Sequence, residues 1–135
     1  MGQARSTKGS DDLRAKKNVT GAQIDKHLVV RLDSTEGQMG LPATTTDPIY
    51  GVTIGDVPDG DMGDVQIRGR AVIKAGGALP TPGVRVMSNA AGKVIAWAAA
   101  AGTNAHVVGT LETTSAAEDD LVEVELAGPG VVAQG

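Results

Sequence analysis

The stretch "VQIRGRAVIKA", Val65 to Ala75, alternates apolar and polar residues as a half-buried strand does, except that Gly69 interrupts it midway. It therefore predicts a strand that is broken or bulged at this glycine. The neighbouring segments follow suit. "DVPDGDMGD", Asp56 to Asp64, is an acidic loop, and "GGALPTPG", Gly76 to Gly83, is a cluster of turn residues. "VRVMSNAAGKVIAW", Val84 to Trp97, reads as a hairpin with "SNAAGK" as its loop and Gly92 at a left-handed position.

Further out, "HLVVRLD" (His27 to Asp33), "IYGVTIG" (Ile49 to Gly55), "HVVGTLE" (His106 to Glu112) and "DLVEVEL" (Asp120 to Leu126) have strand composition. The first predicts Leu28, Val30 and Leu32 on one face. The last predicts Val122, Val124 and Leu126 inward with Glu123 and Glu125 in water, the pattern of an antiparallel sheet with one wet face. "STEGQMGLPATTTDP", Ser34 to Pro48, is expected to be a long connection. Six to eight short strands are therefore expected, in a small barrel or sandwich.

The chain has 135 residues, enough for one domain with a real core. With no Phe, one Trp and one Tyr, that core must be built from Val, Leu, Ile and Ala. Nineteen glycines and six prolines without a repeat argue for many turns and against a helical bundle. There is no cysteine, so no disulfide or thiolate site supports the fold.

The net charge of −4 is unevenly spread. Residues 1–20 carry five bases and two acids, and the remainder carries seven bases and fourteen acids, so a +3 segment precedes a −7 body. Residues 1–22 read as a flexible basic arm and residues 23–135 as a single β-rich domain. No run approaches the roughly 20 apolar residues of a membrane span, and no membrane partner is expected.

A search for reaction chemistry finds no catalytic constellation. His27 and His106 are the only imidazoles, each inside a predicted strand, and no nucleophile–base–orienter set accompanies them. The four aspartates of the acidic loop, Asp56, Asp59, Asp61 and Asp64, lack the spacing and terminal glutamate of a calcium-binding loop and read as a solvated turn. The glycine clusters match no phosphate-binding loop. Without aromatic platforms or a basic face on the body, no specific nucleic-acid binding is expected. No catalytic residue, cofactor or metal site is assigned.

Three pieces, "GDVPDGDMGDVQIRGRAVIKAGGAL", "PGVRVMSNAAGKVIAWA" and "GTNAHVVGTLETTSAAEDDLVEVELAGPG", together resemble the capsid decoration, or cement, proteins of tailed phages, in the same order. The resemblance runs from about Gly55 to Gly128, and the first fifty residues match less well. It implies an all-β domain, a small antiparallel β-barrel or sandwich (β-tulip-like) with an extended N-terminal arm. It also implies a structural virion protein rather than an enzyme, bound to the major capsid protein on the outer capsid surface and stabilising the shell against internal DNA pressure. A homo-oligomer follows from the same resemblance, a trimer before a dimer. The competing reading is a host-surface or glycan-binding adhesive module, for which Trp97, Tyr50 and the acidic loop are the candidates.

Two contact regions follow from the residues. In the arm, Leu13, Val19 and Ile24 are candidate apolar anchors and Arg14, Lys16 and Lys17 candidate charged contacts to the shell. In the hairpin, alternation sets Ile95 and Trp97 on one face and Val94, Ala96 and Ala98 on the other. Trp97 with Ala98, Ala99 and Ala100 forms a candidate self-association or capsid interface: small residues admit a partner backbone beside one large aromatic contact.

Overall fold

The computed structural model describes residues 12–44, 47–99, 101–102 and 104–134, which hold twelve strands and no helix. Five strands close a barrel: β1 (Asp12–Asn18), β2 (Val29–Leu32), β3 (Gln38–Gly40), β4 (Gly51–Thr53) and β5 (Met62–Arg68), in the order β1-β3-β2-β4-β5. All neighbours are antiparallel except β1 and β3, which run parallel through two residue pairs, Lys17 with Gln38 and Asn18 with Met39.

Seven strands follow: β6 (Arg70–Lys74), β7 (Arg85–Ser88), β8 (Val94–Ala96), β9 (Asn104–His106), β10 (Gly109–Leu111), β11 (Leu121–Leu126) and β12 (Val132–Gln134). Five of them make an antiparallel sheet in the order β6-β11-β10-β7-β8, and β9 pairs with β12 in a separate ribbon. The expected all-β fold with a small barrel is thus present, in more and shorter strands than the six to eight expected.

The interrupted stretch carries the chain from one body to the other. Gly69 takes φ +85°, a left-handed conformation that costs a glycine little, so β5 ends in the barrel and β6 begins in the sheet. The buried Gln66 amide fixes this corner, its Nε2 donating to Arg68 O at 2.8 Å and to Arg70 O at 3.0 Å.

One apolar cluster, with Ile24, Leu28, Val30, Met39, Val57, Val65 and Ile67, fills the barrel. A second joins β2 and β4, through Val29 and Val52, to Ile73, Val86, Val94, Val122 and Val124 of the sheet. Because β2 lies between both clusters, Val29 and Val30 are each buried although they point opposite ways. The single-face pattern expected for Leu28, Val30 and Leu32 is therefore corrected: Leu32 runs past the core and is exposed.

The β7–β8 hairpin docks onto this shared strand. Asn89 Oδ1 accepts from the Ala91 and Lys93 amides, both at 3.0 Å, and Gly92 takes φ +80°. The Val29 amide donates to Gly92 O at 2.7 Å, so the hairpin tip is hydrogen-bonded to the barrel wall. On β11, Val122 and Val124 are buried and Glu125 is exposed, as the alternation predicts.

Four further expectations are corrected. The flexible arm expected over residues 1–22 contains a barrel strand, Asp12–Asn18, paired along β5; residues 1–11 lie outside the described residues. Its polar composition is that of a barrel wall whose side chains face water while its backbone completes the ladder. The buried Asn18 fixes its end, with Nδ2 donating to Ala22 O at 2.7 Å and Val57 O at 2.8 Å, and Oδ1 accepting from the Thr20 amide and hydroxyl. Ile24, expected as an apolar anchor of the arm on the shell, is 1% exposed inside the barrel and bridged to Val57. The connection after Asp33 contains β3, and "HVVGTLE" is split between β9 and β10.

Candidate interaction surfaces

Trp97 follows β8, the edge strand of the sheet, and is half-buried. Its amide donates to Arg85 O at 3.1 Å, which carries the β7–β8 pairing one residue further and brings the two side chains together. Arg85 Cζ then lies 5.0 Å from the Trp97 ring centroid, a cation–π contact. No carboxylate pairs with Arg85 among the described residues. Leu79, Pro80, Thr81, Val84 and Ala96 complete a groove of about 340 Å³ whose wall is mainly apolar.

The expected division of this hairpin into faces needs correction. Val94 is fully buried against the barrel, whereas Ala96, set on the same face, is exposed, because the edge strand leaves the cover of the core after its first residue. Ala98 is exposed and Ala99 half-buried, with the Ala98 amide donating to Met87 Sδ at 3.2 Å. Ala100 lies outside the described residues.

A second groove, of about 320 Å³, lies between Leu32, Pro48, Ile49, Tyr50, Pro129 and Gly130. Lys16 Nζ stands 5.4 Å from the Tyr50 ring centroid. On β1, Leu13, Arg14, Ala15 and Lys17 are exposed and Lys16 is half-buried, and Val19 just beyond the strand is exposed, so five of the six expected arm contacts are at the surface and Ile24 is not.

The acidic loop has a structural occupation. Asp59 Oδ1 accepts from the Gly21 amide and Asp56 Oδ1 from the Lys26 amide, both at 2.9 Å, which ties the loop to the segment after β1. Among the described residues no three acids or histidines are grouped to hold a metal ion. His27 is also a fastener: at φ +69° it donates its amide to Thr53 O at 2.9 Å, accepts from the Lys74 amide at 2.9 Å, and sets Nδ1 at 3.1 Å from Val72 O.

One charged cluster had no sequence signal. Lys93, 18% exposed in the hairpin loop, pairs with Glu118 at 2.8 Å and Asp119 at 2.7 Å, carboxylates from the loop before β11. The hydrogen bond that Lys93 donates to Asp119, and then the one it donates to Glu118, raise the Lys93 pKa; the bond from Lys93 lowers that of Asp119. The partners are 26 residues apart or nearly so, and only the fold brings them together. Arg85 was missed similarly: its exposed position opposite Trp97 depends on hairpin register, although both lie within "VRVMSNAAGKVIAW".

Comparison with known proteins adds three findings. The sequence pattern of a family described as phage cement protein matches residues 11–126, which includes the barrel strands as well as the stretch from Gly55 onward. No curated protein matches the chain. Among solved structures, the head fiber gp8.5 N base of bacteriophage phi29 is similar in fold, with a TM-score of 0.65 at 16% identity, over 87% of this chain and 94% of that one.

Proposed function

We propose a role that starts from the fact that this chain belongs to the phage cement protein family. It is a capsid-associated structural protein. It binds the outer surface of the shell at junctions between major capsid protein subunits and, by adding interface area there, makes the shell harder for packaged DNA to force open.

The observation that supports this most is the placement of Trp97. A chain with one tryptophan would gain most stability by burying it, yet this one leaves it half-exposed beside an apolar groove, braced by Arg85, which has no carboxylate partner among the described residues. Tryptophan and arginine are the residues that most often dominate binding energy at protein interfaces. The exposed face of β1, with Leu13, Arg14, Lys16, Lys17 and Val19, is a second contact, and self-association into trimers multiplies both through avidity.

The test is co-sedimentation of the chain with purified DNA-filled and empty shells of its phage, followed by heating of decorated and bare particles. Saturable binding with later DNA release from decorated particles supports the reading. Absence of binding to both kinds of shell defeats it.

A further inference from the structure

We infer that the outer edge of β1, at Leu13 and Ala15, takes up an extended acidic segment of the capsid shell protein as an added β-strand; this rests on the decoration reading above. The main-chain hydrogen bonds of β1 alternate between its two sides. The Asn18 amide donates to Asp61 O on the β5 side, whereas the Lys17 amide donates to Gly37 O on the β3 side, both at 2.9 Å. Main-chain groups alternate along a strand, so Arg14 and Lys16 turn theirs toward β5 while Leu13 and Ala15 turn theirs the other way.

On that other side β3 begins only opposite Lys17. The Gln38 amide donates to Thr35 O at 3.2 Å, a turn that leads the chain away before it can run beside Ala15. Among the described residues nothing pairs with the Leu13 and Ala15 edge, and Leu13, Arg14 and Ala15 are all exposed. An open edge of this kind is a template for a further strand.

Charge selects the occupant. Arg14, Lys16 and Lys17 crowd this short strand, and among the described residues only Arg14 has a carboxylate partner, Asp12 at 3.0 Å. A second copy of β1 laid against the edge would set these cations against their like, which disfavours self-pairing. An extended segment bearing Asp or Glu would match them, with its apolar side chains meeting Leu13, 47% exposed, on the outer face.

The experiment uses the full chain and purified shells of its phage. Hydrogen exchange is measured on free and shell-bound chain, and binding is measured for wild type and Ala15→Pro. Proline removes the outward N–H and blocks the edge, but leaves the bonds of Arg14 and Lys16 to β5 in place. The expected result is slowed exchange at Leu13 and Ala15 on binding, where Arg14 and Lys16 are already protected. Ala15→Pro should keep its thermal midpoint and bind at least about tenfold more weakly. If the proline variant does not fold, the wild-type exchange pattern decides alone. Bound wild type with Leu13 and Ala15 exchanging as freely as before overturns this inference and leaves the decoration role standing; wild type that binds no shell removes both.

Discussion

Arg85 lies with its guanidinium carbon 5.0 Å from the centre of the Trp97 ring, and both residues line a groove together with Leu79 and Pro80. Trp97→Ala is expected to weaken shell binding or self-association by at least about tenfold, and to lower stability by no more than about 2 kcal/mol. Arg85→Lys should reproduce part of the loss, since an ammonium does not stack on the ring as a planar guanidinium does. Co-sedimentation and urea unfolding measure the two effects. An unfolded Trp97→Ala, or one that binds as wild type does, contradicts the surface role.

Ile24 and Leu13, both read from the sequence as anchors of one arm, should now behave oppositely. Ile24→Ala leaves a hole in the barrel and is expected to cost about 2–5 kcal/mol in urea unfolding, whereas Leu13→Ala should stay within about 0.5 kcal/mol. Equal losses would mean that Ile24 does not belong to the core.

Gly92 is where the hairpin meets the barrel. A Cβ there would stand 2.7 Å from Val29 O and hold φ +80° against the side chain. Gly92→Ala is expected to cost about 2–3 kcal/mol, combining left-handed strain with damage to the Val29–Gly92 bond. A change below about 0.5 kcal/mol would show that the hairpin tip is not held to β2.

The Lys93–Asp119 pair gives stability a pH signature. The Asp119 pKa is lowered in the folded chain, so at acid pH the unfolded chain binds more protons and stability falls as pH drops below the ordinary Asp value of 3.8 and through the folded one. The Lys93 pKa is raised, so its contribution is complete below the ordinary 10.5 and is lost as pH rises through the folded value. Thermal midpoints from pH 2 to 11 should show shallower losses at both ends in Asp119→Asn. Asparagine tolerates the φ of +74° at this position and so isolates the charge. Wild-type and variant curves of the same shape would rule this coupling out.

Much of the fold was legible because its signals are local. Alternation in "DLVEVEL" predicts which side of β11 is buried, and Gly69 marks the corner between the two bodies. The N-terminal strand was not legible, since its place depends on pairing with residues some 45 to 56 positions away and on Asn18, whose four side-chain hydrogen bonds leave no trace in a polar run. The strand β2 misled for a related reason: a wall shared by two cores is apolar on both faces, and period-two reasoning assumes one wet face. Of the interaction surfaces, Trp97 stood out by its rarity. Its partner Arg85 needed the hairpin register, and the open edge of β1 needed the barrel itself.

The solitary Trp97 also makes the protein an optical instrument for its own surface. With no second indole in the chain, fluorescence excited in the tryptophan band arises at this groove alone, under the guanidinium of Arg85. Docking that dries the ring shifts its emission to the blue, and docking elsewhere leaves the spectrum where it was. The unlabelled chain can thus report, in real time, whether its tryptophan face has met a partner.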